Sequence, residues 1–327
     1  MQRKSVPLPA WATMSKNFPS RFNKVSGLAY YEYGDPTSNQ VVVFHHGWPS
    51  AGSQGALFDQ AAKECGVRLL SPSRPGIAGS RMEAGRGFAE WPARLSLFLD
   101  DLGVAEKVFI LGVSGGGPYS LAACAGLPER VERAGVICGA GEIGGSMADM
   151  VWPYRVMARL DRYAPWALSP LLKGFRAVMK MPGGGSGPGT KGTGLPERDR
   201  LALADPELHK IVSGSFSESM AGEVAGVVAD GRLYVKEWNF DPASIRVPVQ
   251  FWHGRMDKNI PPRMPEALAG KIAHARLEWF DDDGHYSLPM LRARTLFIQL
   301  VTAGEEVPAG VTASTDRLDS DLQATED

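Results

Sequence analysis

Residues 107–118 read Lys-Val-Phe-Ile-Leu-Gly-Val-Ser-Gly-Gly-Gly-Pro. A short β-branched and aromatic run ends in Gly112-Val113-Ser114-Gly115-Gly116, and a helical pattern follows. Gly-x-Ser-x-Gly between a strand and a helix constrains the fold more than any other feature of this chain. The turn must be sharp enough to hold the serine in a strained backbone conformation with its hydroxyl exposed. Glycines on both sides remove the Cβ atoms that would collide there.

The surrounding pattern fits such a turn. Residues 27–33 read as a strand, and Val41-Val42-Val43-Phe44-His45 as a strand buried on both faces of a sheet. A helical stretch near 55–65 leads to a strand at 67–71. Phe88, Trp91, Leu95, Phe98, Leu99 and Leu102 recur at helical spacing. After the serine come a small-residue helix over 116–127 and a strand at 134–138. The alternation predicts an α/β fold with a doubly wound, mostly parallel sheet. From 142 to 243 it gives way to amphipathic helix rich in aromatics. It resumes with strands at 247–252 and 275–280, a helix at 262–272 and a closing helix at 289–301. The expected organisation is a core of 1–141 and 244–304 and a helical lid of 142–243 over the carboxyl ends of the strands. A disordered acidic tail follows at 305–327. The stretch Pro182–Gly194, with seven glycines and two prolines, reads as a linker within the lid, since no Gly-Lys-Ser/Thr follows to make a phosphate loop.

Composition narrows the function. A net charge of -1 gives no electrostatic case for nucleic acid or an anionic membrane. Clusters such as Arg74 and Arg81 read as solvated surface. Prolines and polar residues follow the basic N-terminus in place of an apolar signal core, and no apolar run reaches spanning length, so a cytoplasmic location is expected. Cys65, Cys124 and Cys138 are far apart, odd in number and beside apolar stretches, which suggests reduced buried thiols. No spacing suggests a metal or cofactor site. His45 and His46 are adjacent on a strand, so they point to opposite faces and read as structural.

A serine alcohol is a weak nucleophile at neutral pH, so Ser114 requires a base and the base an orienting acid. In this strand–turn–helix arrangement the partners follow in the order serine, acid, histidine. His285, in Asp283-Gly284-His285-Tyr286-Ser287 after a late strand, is the best-placed base among the six histidines. Asp257, just beyond the strand at 247–252, is the favoured acid. Asp281, Asp282 and Asp283 compete, but their nearness to the histidine reads better as a solvated acidic turn. The backbone N–H groups of Gly115 and of Trp48, in the loop His46-Gly47-Trp48-Pro49, are the expected oxyanion donors.

With these residues placed, the chain resembles the α/β-hydrolase superfamily over 27–141 and 244–304. The resemblance rests on His46-Gly47-Trp48-Pro49, Arg74-Pro75-Gly76-Ile77-Ala78-Gly79-Ser80, the Ser114 turn, Asp257 and His285. The stretch Gly-Val-Ser-Gly-Gly-Gly-Pro-Tyr is similar to a bacterial subgroup of that superfamily. Ser73 stands where the family commonly carries aspartate, a change expected to affect loop packing more than chemistry. His-Gly-Trp-Pro also resembles the epoxide hydrolases, but those use an aspartate nucleophile, and the turn here holds Ser114. The triad and the resemblance point to a serine hydrolase acting on an ester or related acyl bond, and the aromatic-rich lid suggests a small, largely apolar substrate. A C–C bond hydrolase or lyase on the same triad, or a non-catalytic ligand-binding protein of the same fold, are the alternatives.

Overall fold

The computed structural model describes residues 21–142, 152–179 and 194–302. Its strands are β1 (Arg21–Val25), β2 (Leu28–Gly34), β3 (Val41–His45), β4 (Arg68–Pro72), β5 (Val108–Val113), β6 (Val131–Ile137), β7 (Val249–Gly254) and β8 (Ala275–Phe280). They form one eight-stranded sheet in the order β1-β2-β4-β3-β5-β6-β7-β8. From β4 to β8 every neighbouring pair is parallel, whereas β1 and β2 pair antiparallel at one edge. The strand β1, not expected from the sequence, forms a hairpin with β2 about the positive-φ residues Ser26 and Gly27.

The core helices are α1 (Asp59–Glu64), α2 (Trp91–Asp101) and α3 (Gly116–Gly126). Between β6 and β7 come α4 (Trp152–Tyr163), α5 (Leu168–Met179), α6 (Glu197–Ala204), α7 (Pro206–Ser219) and α8 (Ala225–Tyr234). The chain closes with α9 (Arg263–Lys271), α10 (Ser287–Leu291) and α11 (Ala293–Thr302). A short 3₁₀ segment, Gly52–Phe58, precedes α1. The glycine-rich stretch up to its last glycine, residues 182–193, and the acidic tail at 305–327 lie outside the described residues. The expected single closing helix is two, separated at Arg292.

Strand β3 shows how the helices cover both faces. Val41 and Val43 pack with Leu95, Phe98 and Leu99 of α2 and Leu121 of α3. Val42 and Phe44 point the other way, into a cluster with Phe58, Ala62 of α1 and Phe297 of α11. Alternate residues of one strand thus enter two separate cores, which is why the segment reads as an unbroken apolar run. In a parallel sheet all carboxyl ends share one edge, so the loops after β3, β5, β7 and β8 meet there.

The helices between β6 and β7 pack onto that edge and beyond it. In α7, Glu218 accepts hydrogen bonds from the Tyr31 hydroxyl of β2 at 2.6 Å and from the Ser53 hydroxyl. Burial pushes its carboxyl up to about 7, against an ordinary value of 4.5. The folded state therefore favours the protonated acid. The resulting stability is complete below pH 4.5 and is lost as pH rises through about 7. The Glu218→Gln variant, a permanent mimic of the neutral acid, is expected to unfold at the same temperature as the parent at pH 4.5. At pH 8 it is expected to gain about 3 kcal/mol, roughly 4–5 °C in Tm. Thermal denaturation of both proteins across this range checks the difference, and an equal Tm at pH 8 would refute it.

Candidate active site

Strand β5 delivers Ser114 into a turn with φ of 52°, in the left-handed region where a side chain other than glycine is strained. The strain is held by the crossing of α3 over the end of β3. A Cβ on Gly116 would overlap the His45 carbonyl oxygen, and one on Gly112 would lie 2.7 Å from the Gly116 carbonyl oxygen. Both glycines expected from the motif are thus required by close backbone approach.

The structure brings Ser114, His285 and Asp257 together. His285 lies on the loop after β8, with Nε2 3.0 Å from Ser114 Oγ. Its Nδ1 is 2.8 Å from Asp257 Oδ2. Asp257 sits on the turn after β7, and its other oxygen accepts from the backbone N–H of Asn259 and Ile260 at 2.7 and 2.8 Å. One carboxylate oxygen is thus fixed by the main chain while the other faces the ring. The Nδ1–H donates to Asp257, leaving Nε2 to accept the Ser114 hydroxyl proton. All three side chains are buried. Burial works against the charged forms, but the two charges face each other. The paired imidazolium holds Asp257 below its usual range, and Asp257 raises His285 above the ordinary 6.5.

The competing aspartates are elsewhere. Asp281 is 82% exposed and pairs with Arg255 at 2.7 Å. Asp283 departs from the expected solvated turn: it is buried between Arg198 and Arg292, each at 3.0 Å.

Trp48 lies against Gly115, the residue after Ser114, and its neighbour Gly47 lies against Ser114 itself. A Cβ on Gly115 would lie 2.8 Å from Trp48 Cβ, and one on Gly47 would lie 3.6 Å from Ser114 Cβ. Neither the Trp48 nor the Gly115 N–H donates to a protein acceptor among the described residues. The neighbouring Gly47 N–H, by contrast, is occupied by Gln54 Oε1 at 2.7 Å. The Trp48-Pro49 peptide bond is cis.

Sequence reasoning missed how this loop is held. Arg74 is not solvated surface: it is buried and donates Nη1 to the His46 carbonyl at 2.5 Å and Nη2 to the Gly47 carbonyl at 2.7 Å. Its Nε reaches Asp230 of α8 at 2.9 Å, and the Tyr119 hydroxyl donates to the other Asp230 oxygen at 2.5 Å. Two further groups of α8 bind the same region. The Val227 carbonyl accepts from the Trp48 indole at 2.9 Å, and the Tyr234 hydroxyl donates to the Gly115 carbonyl at 2.8 Å. The spacing of Val227, Asp230 and Tyr234 places them on one face of a helix, a signal readable in the sequence once a partner for Arg74 is sought. Arg81 is exposed as expected.

His45 and His46 are structural and neutral. Trp91 Nε1 donates to His45 Nε2 at 3.1 Å, while His45 Nδ1 lies 3.0 Å from Ser120 Oγ. The Arg74 N–H donates to His46 Nε2 at 3.2 Å. Burial lowers both, His45 to about 3. Ser73, the departure in the Arg74 loop, is buried, and its hydroxyl accepts from the Gly52 N–H at 2.9 Å, a packing role. The three cysteines are free; Cys124 and Cys138 are buried, and Cys65 is half-buried. Among the described residues, Cys138 with Asp257 and His285 is a set of potential metal-ligating atoms, within 4.8 Å of one another. Its Asp257 and His285 atoms already bond each other. No helix among the described residues is long and apolar enough to cross a membrane.

A serine, a histidine and an aspartate thus meet at the carboxyl edge of a mostly parallel α/β sheet, and the family match gives the class, a hydrolase. The sequence matches the profile of the alpha/beta hydrolase family over residues 42–300, and the chain belongs to that family. No protein of curated description matches it. Among solved structures it is similar to an esterase from Exiguobacterium antarcticum, at 18% identity and a TM-score of 0.58. That alignment covers 86% of this chain and 97% of the other. It is similar to the enol-lactonase from Burkholderia xenovorans LB400 at 20% identity and a TM-score of 0.59, over 86% and 98% of the two chains. A bromoperoxidase from Bacillus anthracis aligns at 15% identity and a TM-score of 0.61, over 87% and 99%. At such identities the likeness is one of fold.

The Arg74–Asp230 pair is buried, so removing Asp230 leaves Arg74 as an uncompensated charge, and removing Arg74 leaves Asp230 with only the more distant Arg86 at 3.8 Å. Arg74→Met and Asp230→Leu are each expected to cost about 3–5 kcal/mol in denaturant unfolding. The double variant is expected to cost clearly less than the sum of the two. Additive losses would show that the two groups are not coupled.

Proposed function

We propose that the protein is a serine hydrolase that cleaves a carboxylic ester or related acyl bond through an acyl-enzyme. One observation carries this reading: the unbroken hydrogen-bond chain from Ser114 Oγ through His285 to Asp257, with the serine strained at a strand–helix turn. In this mechanism Ser114 Oγ attacks the substrate carbonyl carbon while His285 Nε2 takes its proton. Asp257 keeps Nδ1 protonated and stabilises the imidazolium. The carbonyl oxygen becomes an oxyanion, which the N–H groups of Trp48 and Gly115 receive. Collapse breaks the bond to the leaving group, and His285 Nε2–H returns the proton to it. Water then attacks the acyl-enzyme, giving its proton to His285, and the acid product departs as the Ser114 hydroxyl is restored.

Residues 142–243 act as a cap over this site in the same reading, with 1–141 and 244–304 as the core. The substrate is a small molecule whose apolar part lies against aromatic side chains such as Trp48. The esterase and enol-lactonase among the structural neighbours accord with acyl chemistry.

A fluorophosphonate probe is expected to label the protein at Ser114 and to leave Ser114→Ala unlabelled; an unlabelled parent protein would sink the proposal. Short-chain p-nitrophenyl esters are the matching substrates, with kcat expected to fall about a million-fold in Ser114→Ala. Because Asp257 raises His285, the acid limb of kcat/KM is expected above pH 6.5. In Asp257→Asn that limb should move to lower pH and kcat fall by about 10³–10⁴.

A further inference from the structure

The histidine loop is gripped from outside the core. Asp199, in the first turn of α6, is completely buried, and its carboxylate is aimed at three consecutive residues. Oδ2 accepts from the His285 N–H at 3.1 Å. Oδ1 accepts from the Tyr286 N–H at 3.1 Å, the Ser287 N–H at 2.8 Å and the Ser287 hydroxyl at 2.8 Å. Ser287 Oγ also accepts from the Gly284 N–H at 2.8 Å, so the loop is tied to itself and to Asp199 at once. A Cβ on Gly284 would lie 2.6 Å from the Asp199 carboxyl carbon, which leaves glycine as the residue that lets the carboxylate approach.

A buried carboxylate with four donors is costly to place and expensive to disturb. Here every donor belongs to the catalytic histidine's own backbone or to its two successors. On the reading of Ser114, His285 and Asp257 as the catalytic groups, we propose that Asp199 is a positioning residue. It is carried by the helical segment between β6 and β7, and it holds the His285 backbone where the imidazole meets both Ser114 and Asp257. The seating of that segment on the core is thereby coupled to the geometry of catalysis. The charge acts in the same direction. Asp257 from the turn after β7 and Asp199 from α6 both favour the imidazolium. His253 at the end of β7 is lowered first by burial and further by the His285 charge, so it faces the imidazolium as a neutral ring.

The test uses the full chain, p-nitrophenyl ester kinetics across pH, and fluorophosphonate labelling rates. Asp199→Asn keeps the size of the side chain but loses the charge and turns an amide N–H₂ towards backbone donors. Its kcat is expected to fall about 10–100-fold with KM nearly unchanged. The acid limb of kcat/KM is expected at lower pH than in the parent, a displacement that a purely structural role would not cause. The milder Ser287→Ala variant, which removes one donor to Asp199 and the acceptor of the Gly284 N–H, is expected to lower kcat a few-fold with KM unchanged, and it decides the matter where Asp199→Asn fails to fold. Parent-like kcat and pH profile in Asp199→Asn, or parent-like kcat in Ser287→Ala should Asp199→Asn not fold, overturn the inference. Failure of the underlying reading is distinct, because the parent protein itself would then escape labelling or Ser114→Ala would keep its activity.

Discussion

Three main-chain hydrogen bonds hold the turn on which the rest of the site depends. The Ser114 N–H donates to the Ile137 carbonyl at 2.9 Å, and the Ser114 carbonyl accepts from the Gly117 and Ala140 N–H groups at 2.9 and 3.0 Å. These bonds hold a non-glycine residue at φ of 52° against its steric preference. They also tie β5, β6 and α3 into one rigid corner. Because β3, β5, β6, β7 and β8 all run in parallel, the loops bearing Trp48, Asp257 and His285 open at that same corner. Short reach from three loops to one hydroxyl follows from the sheet, with no long excursion of any chain segment.

The loops around the corner are set by buried carboxylates as much as by the sheet. Asp257 uses one oxygen on backbone N–H groups and the other on the imidazole. Asp230 orients Arg74, which in turn holds the carbonyls of His46 and Gly47 and so fixes the backbone of the loop that leads into Trp48. Asp199 clasps the backbone at 285–287. Two of the three come from the helices between β6 and β7. A segment that amino-acid patterning presents as a cover is therefore also a scaffold, bonded to both the serine's and the histidine's surroundings.

Much of the architecture was legible because periodicity is local. The run Val41–His45, the helical spacing from Trp91 to Leu99 and the glycines at 112 and 116 each carry their structural meaning within a few residues. The roles of Arg74 and Asp283 were not legible, because a charge is read as solvated unless its partner is known. Those partners are distant in sequence, Asp230 for Arg74 and Arg198 for Asp283, or hidden in an apparently continuous helix, as is Arg292. The break at Arg292 went unseen for a related reason. Helices α10 and α11 share an apolar pattern, and only packing against the core shows where one axis ends and the next begins.

By itself the sequence determined the α/β alternation and the strained serine turn, since spacing and residue type suffice for each. Tertiary structure decided which aspartate meets His285, because four candidates stood at loop positions and a 2.8 Å approach selects Asp257. It also decided that Asp199 and Asp230 are parts of the site's framework. The physical reason is burial: a carboxylate's role depends on which donors surround it once water is gone, and those donors are assembled from residues far apart in the chain.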